Sequence, residues 1–486
     1  MEKLNKFFKF LIYILPAVLF FSYYPVIGLG ANGSMNFELS LPLLWLILFD
    51  VVGLVLMARK KIIFRHLRKQ WLWVLFPAWL LLSVFWSLNF LRGLLTVGIL
   101  CLIYFAGYAM WSLRDVFDNE FKGFFGKWFF GSTLIVCVWC VLQCVLDLAG
   151  VSRETSLMCE GCTYVMFGFP HPNGFTMEPQ FMGNLLLAPI IVTAWLSLKG
   201  AESNVFREWF SHTIIFGRDF RKLLKILSPF ILLFIFTATL FLTFSRGAIY
   251  SLVVGLLFVT VYLIVREKKT RNVVVKRVGL MWGLVVLSFL FTLNLQGLMA
   301  QVSPTDDTYS TGVTKVLHHL SLGVIDVRYS EEQPVENYVE NSEDKDEEKS
   351  VFDGYVAGST DTRIKLSNMA MKIWSKDVGT MFFGVGLGGA GEALYVNGFT
   401  YSAKEIVQNQ YVSLLVETGV IGVLLLILTL VLVVRFVIKN SVDLLGLLVA
   451  YEISLLFFSG LPNALHIYLL PMILILISVR NLKKSS

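Results

Sequence analysis

The sequence predicts an all-α polytopic membrane protein with about twelve transmembrane helices and one large extracytoplasmic loop module. Of its 486 residues, 56% are hydrophobic and only 15% are charged, whereas a soluble domain carries about 25% charged residues. The charges fall in short stretches between apolar runs of about eighteen residues or more, the length that crosses a bilayer. A soluble protein is therefore excluded.

The basic residues do not indicate a nucleic-acid-binding protein. The 41 Lys and Arg outnumber the 34 Asp and Glu, but they lie in loops beside the apolar runs. Basic residues in such loops determine the topology of membrane spans. We therefore expect no nucleic acid among the partners of this chain.

Twelve apolar runs are candidate membrane spans. They cover residues 9–29, 38–57, 71–88, 93–111, 128–149, 181–198, 226–244, 248–265, 278–297, 410–434, 444–459 and 466–480. Lys3, Lys6 and Lys9 stand at the head of the first run, and no small-residue cleavage site follows it, which predicts a first span rather than a removed signal. With the N-terminus inside, most basic residues of the short loops are also inside, so we expect both termini to be cytoplasmic.

The longest stretch between spans, residues 298–409, is acidic, whereas the rest of the chain is basic. We expect it to be an extracytoplasmic module between nine helices in residues 1–297 and three in residues 410–486. Within it, residues 331–353 (EEQPVENYVENSEDKDEEKSVFD) have almost no aliphatic side chains and many like charges. That composition predicts an extended or disordered insert.

Ionisable side chains inside apolar runs are functional candidates, because each costs about 3 kcal/mol at the centre of a membrane helix. The candidates are Asp50, Asp147, Arg246, Glu417 and Glu452. For Asp50 and Glu452 we expect an interhelical hydrogen bond or a protonated carboxyl.

Arg246 lies in the polar break FLTFSRGAIYSL between two apolar runs, beside Ser245 and Gly247. A guanidinium keeps its charge and presents a planar fork of donors that suits phosphate oxygens. Binding of a diphosphate at the headgroup level and simple anchoring at the interface both fit this position.

Arg363 is a second arginine on the outer side, after the acidic insert. Apolar residues recur at three- and four-residue spacing behind it, which predicts that Arg363 opens an amphipathic helix against the outer membrane face. The following stretch Gly384–Gly391 (GVGLGGAG) has no preceding strand pattern and no P-loop lysine. It predicts a tight turn rather than a nucleotide site.

The predicted outer loop 150–180 carries His171, Asn173 and Glu178 in a turn rich in Pro and Gly, directly before a span. These polar side chains either reach a cavity at the headgroup level or are merely solvated. The adjacent His318 and His319 are expected to be solvated in a polar loop.

The cysteines give no metal site. Cys137, Cys140 and Cys144 recur along one span, which indicates packing because no His or carboxylate joins them. Cys159 and Cys162 form a C-x-x-C pair in the outer loop, where they can oxidise to a disulfide; a zinc site with His171 would lack a fourth ligand.

Residues 407–426 (VQNQYVSLLVETGVIGVLLL) resemble the signature of the O-antigen ligase superfamily. This superfamily includes O-antigen ligases, O-antigen and exopolysaccharide polymerases and protein O-oligosaccharyltransferases. Its signature is His, then Asn, Ser or Gln, nine residues, Gly, two residues, and Gly, Thr or Tyr. Asn409, Gly419 and Gly422 keep this spacing, while Gln408 stands at the His position.

The order of features in the C-terminal half resembles the same superfamily. The polar break at Arg246 follows the seventh span, Arg363 with its helix and glycine turn comes later, and the large loop separates the ninth and tenth spans. The resemblance implies a metal-independent fold of the GT-C type, without a cofactor. It also implies transfer of a saccharide from a polyprenyl diphosphate to an acceptor hydroxyl at the outer membrane face.

The two arginines suit that chemistry, because departure of a lipid diphosphate builds negative charge that fixed guanidinium groups stabilise. The resemblance implies that the residue at the His position removes the proton of the acceptor hydroxyl or orients this hydroxyl. An amide such as Gln408 is no base near neutral pH and only forms hydrogen bonds. Either the base lies elsewhere, or departure of the leaving group carries most of the barrier, or this chain has lost the activity. Glu417, inside its span, and Glu178 and His171, in the outer loop, are the candidates for a replacement base. Glu417 fits a carboxyl paired with a neighbouring helix equally well, and Glu178 also fits a contact with the sugar.

We therefore expect a membrane glycosyltransferase of the bacterial plasma membrane. Its partners would be an undecaprenyl diphosphate-linked oligosaccharide as donor, a glycan or lipid-linked acceptor, and membrane lipid. A polymerase is slightly favoured over a ligase, and a protein O-oligosaccharyltransferase comes third. A transporter or flippase of a lipid-linked saccharide is the alternative from another class.

Overall fold

A computed structural model describes residues 2–24, 26–29, 37–62, 71–117, 119–199, 218–266, 271–305, 307–322, 351–403, 405–459 and 464–478. These residues form a bundle of α-helices with one short sheet. The helices are α1 (Glu2–Phe20), α2 (Leu41–Arg59), α3 (Leu72–Ser83), α4 (Phe90–Ser112), α5 (Asn119–Leu148), α6 (Arg153–Ser156), α7 (Tyr164–Phe167), α8 (Pro179–Lys199), α9 (Arg218–Leu242), α10 (Arg246–Arg266), α11 (Arg271–Val302), α12 (Tyr309–Leu320), α13 (Val351–Trp374), α14 (Val378–Phe383), α15 (Ala390–Val396), α16 (Gln410–Asn440), α17 (Leu445–Ser454) and α18 (Leu465–Ser478).

The prediction of a helical polytopic membrane protein is confirmed at this level. By length and composition, α2, α4, α5, α8, α10, α11 and α16 can cross a membrane, and three shorter apolar helices cover Leu72–Trp86, Pro229–Leu242 and Leu465–Ser478 within the described residues. The count of twelve spans stays a prediction. The acidic insert 331–353 lies outside the described residues except for 351–353, which begin α13.

One short hairpin departs from an all-α chain. Strands β1 (Val26–Leu29) and β2 (Phe37–Ser40) pair antiparallel, with Val26 opposite Ser40. The second predicted span was placed at residue 38, but α2 begins at Leu41, after Ser40 and with a proline in its first turn. Proline at the start of a helix is tolerated because its missing N–H has no partner there.

The first helix is also shorter than its apolar run. The run 9–29 predicts one continuous span, whereas α1 ends at Phe20 and the chain turns through Tyr23 and Tyr24. Pro25 disfavours helical geometry at the residue before it. The two tyrosines are thereby released from the helix.

Helix α8 is the centre of the bundle. It packs against α9, α10, α11, α17 and α18, and its membrane-length segment is buried throughout. A helix surrounded by other helices can be apolar on every side, which matches its side chains. The residues at its start, Glu178 and Gln180, are therefore held in a fixed position by the whole core.

Helix α16 is broken inside its apolar run. Gly419 has φ 68° and ψ −173°, far from helical values. The carbonyl oxygens of Val416 and Glu417 accept instead from the amides of Val385 and Gly386, both at 2.9 Å. The glycine turn after α14, with positive φ at Gly384 and its neighbours, thus docks into the break, and the predicted tight turn is observed.

Replacing Gly419 by Ala is expected to lower the free energy of unfolding by about 2 kcal/mol or more, since an L-residue is strained at this φ. A Cβ there would also lie 2.1 Å from the carbonyl oxygen of Phe382. Thermal unfolding of the purified variant in detergent measures the effect. Gly283→Ala is the matched control, because its Cβ would contact nothing within 4 Å; equal midpoints for the two variants would contradict the prediction.

Candidate active site

Arg246 is presented by a strained break between two helices. Helix α9 ends at Leu242 and α10 begins at Arg246, and Phe244 between them has φ 59°. A bulky residue in this left-handed region is an outlier that surrounding contacts must hold. His319 supplies them: its Nε2 donates to the carbonyl oxygen of Phe244 at 3.2 Å, and the two rings stack at 4.0 Å.

Arg363 lies well inside α13 rather than at its start. The helix begins at Val351, so the prediction that Arg363 opens it is wrong. Gly354 and Gly358 upstream are poor helix formers and hid this extension in the sequence. Packing of the rest of α13 against α15 and α16 holds Arg363 in place.

The carbonyl group of Phe457, after α17, holds this part of the site together. It accepts from Arg363 Nη1 at 3.4 Å and from Gln180 Nε2 at 2.9 Å. The backbone beside Arg246 approaches it as well, because a Cβ added to Gly247 would lie 2.9 Å from Phe457 Cβ. Sequence patterns gave no signal for Phe457 or Gln180, since the contact depends on tertiary packing.

Arg246, Arg363 and Gln408 line one cavity of about 740 Å³, together with Glu178 and His171. These residues come from four separate parts of the chain. Their convergence is the arrangement expected if the two arginines act on one ligand. The cavity size lies within the range of about 300–1,000 Å³ that is typical of small-molecule sites.

Glu178 is one of two accessible carboxylates of the cavity, the other being Glu154. Its carbonyl accepts from the amides of Phe181 and Met182, which fixes it at the start of α8. Its side chain is open to water inside the cavity. The cavity walls still remove part of its hydration and raise its pKa, while the positive charge of Arg363 acts in the opposite direction.

His171 is more deeply enclosed. Burial lowers its pKa to about 4, against backbone hydrogen bonds at Phe169 and Gly161 that raise it. Its Nδ1 is buried without a partner among the described residues, and its ring meets Phe167 edge to face at 4.6 Å. His171 is therefore neutral near pH 7, and its Nδ1 is out of reach of water.

The third polar residue of this loop does not line the cavity. Asn173 is fully buried, accepts from the Cys159 amide at 3.3 Å and donates to the Thr176 carbonyl at 2.5 Å. Gln143 Oε1 accepts from the next amide, Gly174, at 2.8 Å. Asn173 thus ties the loop together, and Cys159 is disulfide-bonded to Cys162 on the cavity wall.

The prediction that His318 and His319 are solvated is wrong. They are only 8% and 5% exposed, because α12 packs back on α11. Burial and the nearby Arg246, His171 and His318 lower the pKa of His319 well below its usual range. An apolar period over residues 309–320 was the available signal for a helix there.

Glu417 lies in a different place from the other candidates. Its Oε1 accepts from the Ala390 amide at 3.5 Å, and it lines a second cavity of about 20 Å³ that Arg92 also borders. That volume holds about one water molecule. The structure thus does not bring Glu417 to the cavity of Arg246, and its contacts are those of a residue that anchors the glycine turn.

Replacing Glu417 by Ala is expected to destabilise the protein by about 1–3 kcal/mol, because backbone N–H groups lose an acceptor and Arg92 loses a nearby negative charge. The turnover of the folded fraction should be unchanged. Thermal unfolding and activity per folded molecule measure both effects, and Glu405→Gln, an exposed carboxylate on the same small cavity, is the control. A loss of turnover at unchanged stability would instead show a catalytic role.

The other buried carboxylates have structural contacts or none. Glu452 Oε2 accepts from the Tyr411 hydroxyl at 2.6 Å, as expected for an interhelical hydrogen bond. Asp147 Oδ2 accepts from the Tyr164 amide at 2.7 Å. Asp50 has no hydrogen-bond partner among the described residues, so the expected interhelical bond is not observed for it.

The predicted motif positions around Gln408 have structural contacts. Asn409 Oδ1 accepts from the amides of Tyr411 and Val412, both at 3.1 Å, and so caps α16. Gly419 forms the break, and a Cβ on Gly422 would lie 2.0 Å from Thr418 Oγ1. The exposed Gln408 stands before the cap and lines the large cavity.

Metal ligation finds no support in the residues that the structure describes, since no group of three or more His, Cys, Asp or Glu could hold an ion. The large cavity instead offers the guanidinium groups of Arg153, Arg246 and Arg363, the carboxylates of Glu154 and Glu178, and amide groups. Such groups bind an anion and transfer or orient a proton.

Fold and cavity together define a polytopic helical membrane protein with a polar cavity that is lined by several arginines, among them Arg246 and Arg363. A family model described as O-antigen ligase matches residues 231–427, which include Arg246, Arg363 and the motif from Gln408 to Gly422. The match supports membership of the O-antigen ligase superfamily, and the resemblance drawn from the sequence is confirmed. It indicates a membrane enzyme of the ligase or polymerase type. The chain matches no curated protein.

Proposed function

We propose that this protein transfers a saccharide from undecaprenyl diphosphate to an acceptor hydroxyl at the outer face of the bacterial plasma membrane. The observation that carries the proposal is the single cavity lined by Arg246, Arg363, Glu178 and Gln408. In this proposal the fold is of the GT-C type with twelve spans, both termini are cytoplasmic, and residues 298–409 are extracytoplasmic. No metal ion takes part.

The two arginines bind the diphosphate of the donor. As the bond between the sugar and the diphosphate breaks, negative charge grows on the phosphate oxygens. Guanidinium groups that are already fixed stabilise this charge without rearrangement. The strained break at Phe244 fixes Arg246, and the carbonyl of Phe457 fixes Arg363.

Glu178 removes the proton of the acceptor hydroxyl. It is accessible inside the cavity, whereas His171 is enclosed and Glu417 borders another cavity. Partial burial raises the pKa of Glu178. The raised pKa lies closer to the pKa of an effective general base near neutral pH. Gln408, as an amide, orients the acceptor or donor through hydrogen bonds.

Polymerisation is the form of transfer that we favour. Gln408 and the region of Glu178 depart from the ligase pattern, so a second lipid-linked saccharide is the acceptor in this proposal. Ligation to a lipid acceptor is the next candidate, and transfer to a protein hydroxyl is the third. The identity of the glycan that forms distinguishes them.

Transport of a lipid-linked saccharide is the alternative from another class. Transporters bind substrate at the membrane midplane between broken helices, and α16 is a broken helix with Glu417 beside the break. The cavity at that point is about 20 Å³, however, and has no room for a saccharide. The larger cavity around the arginines favours the enzyme.

Reconstitution tests the proposal directly. Purified protein in proteoliposomes would receive the native lipid-linked saccharide, and products would be analysed for longer glycans and free undecaprenyl diphosphate. New glycosidic bonds with release of the lipid diphosphate support the enzyme. Exchange of the saccharide between leaflets without new bonds would overturn it in favour of transport.

A further inference from the structure

One wall of the large cavity is aromatic. Tyr23 and Tyr24 line this wall, and we call the pair the aromatic wall. Both backbone amides donate to the carbonyl oxygen of Phe175, at 3.2 Å each. The two tyrosine rings meet edge to face with centroids 4.7 Å apart.

The aromatic wall is firmly supported. The ring of Phe175 stacks on Phe21 at 4.7 Å and on Trp139 at 5.2 Å, the latter nearly parallel at 7°. Phe175 precedes Glu178 by three residues in the same loop. The wall is therefore tied to the segment that carries Glu178, rather than to the helices that carry Arg246 and Arg363.

This arrangement differs from that of interfacial anchors. Tyrosines that anchor a membrane protein lie on its outside at the headgroup level, whereas Tyr23 and Tyr24 are half-buried and line a cavity. A groove for a polyprenyl chain would be aliphatic, but Arg153 and Glu154 border the cavity with the tyrosines. Flat aromatic faces with polar groups beside them suit a ligand that has both an apolar and a polar surface.

We propose that the aromatic wall is the subsite for the acceptor saccharide. A sugar ring has an apolar C–H face that packs on a tyrosine ring, and its rim of hydroxyl groups bonds to neighbouring polar side chains. Two ordered tyrosines provide this surface at a small cost in side-chain entropy. The subsite holds the acceptor with its hydroxyl toward Glu178, and in this sense it rests on the function proposed above.

A saccharide without diphosphate is the probe that isolates this subsite. It is prepared by mild acid release from the native lipid-linked material and titrated against the protein in nanodiscs, with saturation-transfer NMR to detect contact with aromatic protons. Tyr23→Ala and Tyr24→Ala are expected to weaken its binding about tenfold. Tyr23→Phe and Tyr24→Phe keep the ring and should bind within a few-fold of the wild type.

The arginine variants provide the second arm. Because the probe has no diphosphate, Arg246→Ala and Arg363→Ala should bind it like the wild type. The proposal is overturned if the wild type does not bind the probe, or if folded Tyr23→Ala and Tyr24→Ala proteins bind it normally. It is also overturned if the arginine variants lose as much affinity for the probe as the tyrosine variants do.

Transfer by the wild type is measured separately, which distinguishes the two proposals. A protein that forms glycosidic bonds but shows no effect of the tyrosine variants on probe binding or transfer loses only the subsite. A protein that binds the probe at the aromatic wall but forms no bond and releases no lipid diphosphate loses the proposed function.

Discussion

Replacing Arg246 or Arg363 by Ala is expected to reduce the rate of saccharide transfer by about 10²–10³-fold in each case, the usual cost of removing one fixed donor from developing negative charge. Both residues line the same cavity, and neither the backbone break before Arg246 nor the hydrogen bond from Arg363 to the Phe457 carbonyl depends on the ligand. The loss should therefore appear mainly in turnover, because the charge that they stabilise is largest in the transition state. Release of undecaprenyl diphosphate from the lipid-linked donor measures the rate.

Two controls separate this effect from a loss of fold. Lys365 is an exposed cation two residues after Arg363 on α13, and Arg266 is an exposed cation at the far end of α10. Lys365→Ala and Arg266→Ala should leave transfer near the wild-type rate. Folded Arg246→Ala and Arg363→Ala proteins that transfer as fast as these controls would rule out the proposed role.

Substitution by Lys separates the effect of the planar guanidinium donors of Arg246 and Arg363 from the effect of their positive charge. Lys keeps a positive charge but offers a point-like ammonium instead of a planar set of donors. Arg246→Lys and Arg363→Lys are therefore expected to fall between the Ala variants and the wild type. Full activity in both would mean that charge alone is sufficient.

Much of this site was visible in the sequence because it is built from local patterns. The polar break at Arg246, the polar turn before Glu178 and the glycine turn at Gly384 interrupt long apolar runs, and each interruption corresponds to a real end or turn of a helix. Polar residues inside such runs are costly. Such polar residues are therefore easy to find in a sequence and usually have a structural or functional role.

The features that the sequence hid depend on contacts between distant parts of the chain. His319 was expected in water, but the helix that carries it packs against its neighbour and places it on Phe244. Tyr23 lies in an apolar run that predicts a continuous span, but in the structure the helix ends at Phe20, before Tyr23. Gly419 also lies in an apolar run, and the need for glycine there follows from the approach of the Phe382 backbone, which the sequence does not show.

The signature motif shows the same distinction. Its spacing matches the family signature, but Asn409 caps a helix and Gly419 breaks one. Neither residue is among those that line the large cavity, whereas Gln408 is, so the motif mainly determines how Gln408 is placed. The chemistry has to be sought in residues that the motif leaves out, which directs attention to Glu178.

Replacing Glu178 by Gln is expected to lower transfer by about 10²–10⁴-fold, the range over which a positioned general base acts. Gln keeps the size and hydrogen-bonding oxygen of Glu but accepts no proton near neutral pH. Binding of the released saccharide should change little. Glu154→Gln, an exposed carboxylate on the same cavity, is the matched control, and normal turnover in the folded Glu178→Gln variant would exclude Glu178 as the base.

The pH dependence of transfer identifies the base independently. A base acts when it is deprotonated, so the rate should fall as the pH falls through the pKa of Glu178, which burial raises above the usual range of a glutamate. A decline near pH 4 would point instead to His171, whose pKa burial lowers to about 4. Arg363 opposes the rise in the Glu178 pKa, so its loss in Arg363→Ala should move the decline in the residual rate to higher pH. Arg363→Lys retains the positive charge and should leave the position of the decline nearly unchanged. This pair of results would show that the residue proposed to bind the diphosphate also controls the pKa of the proposed base.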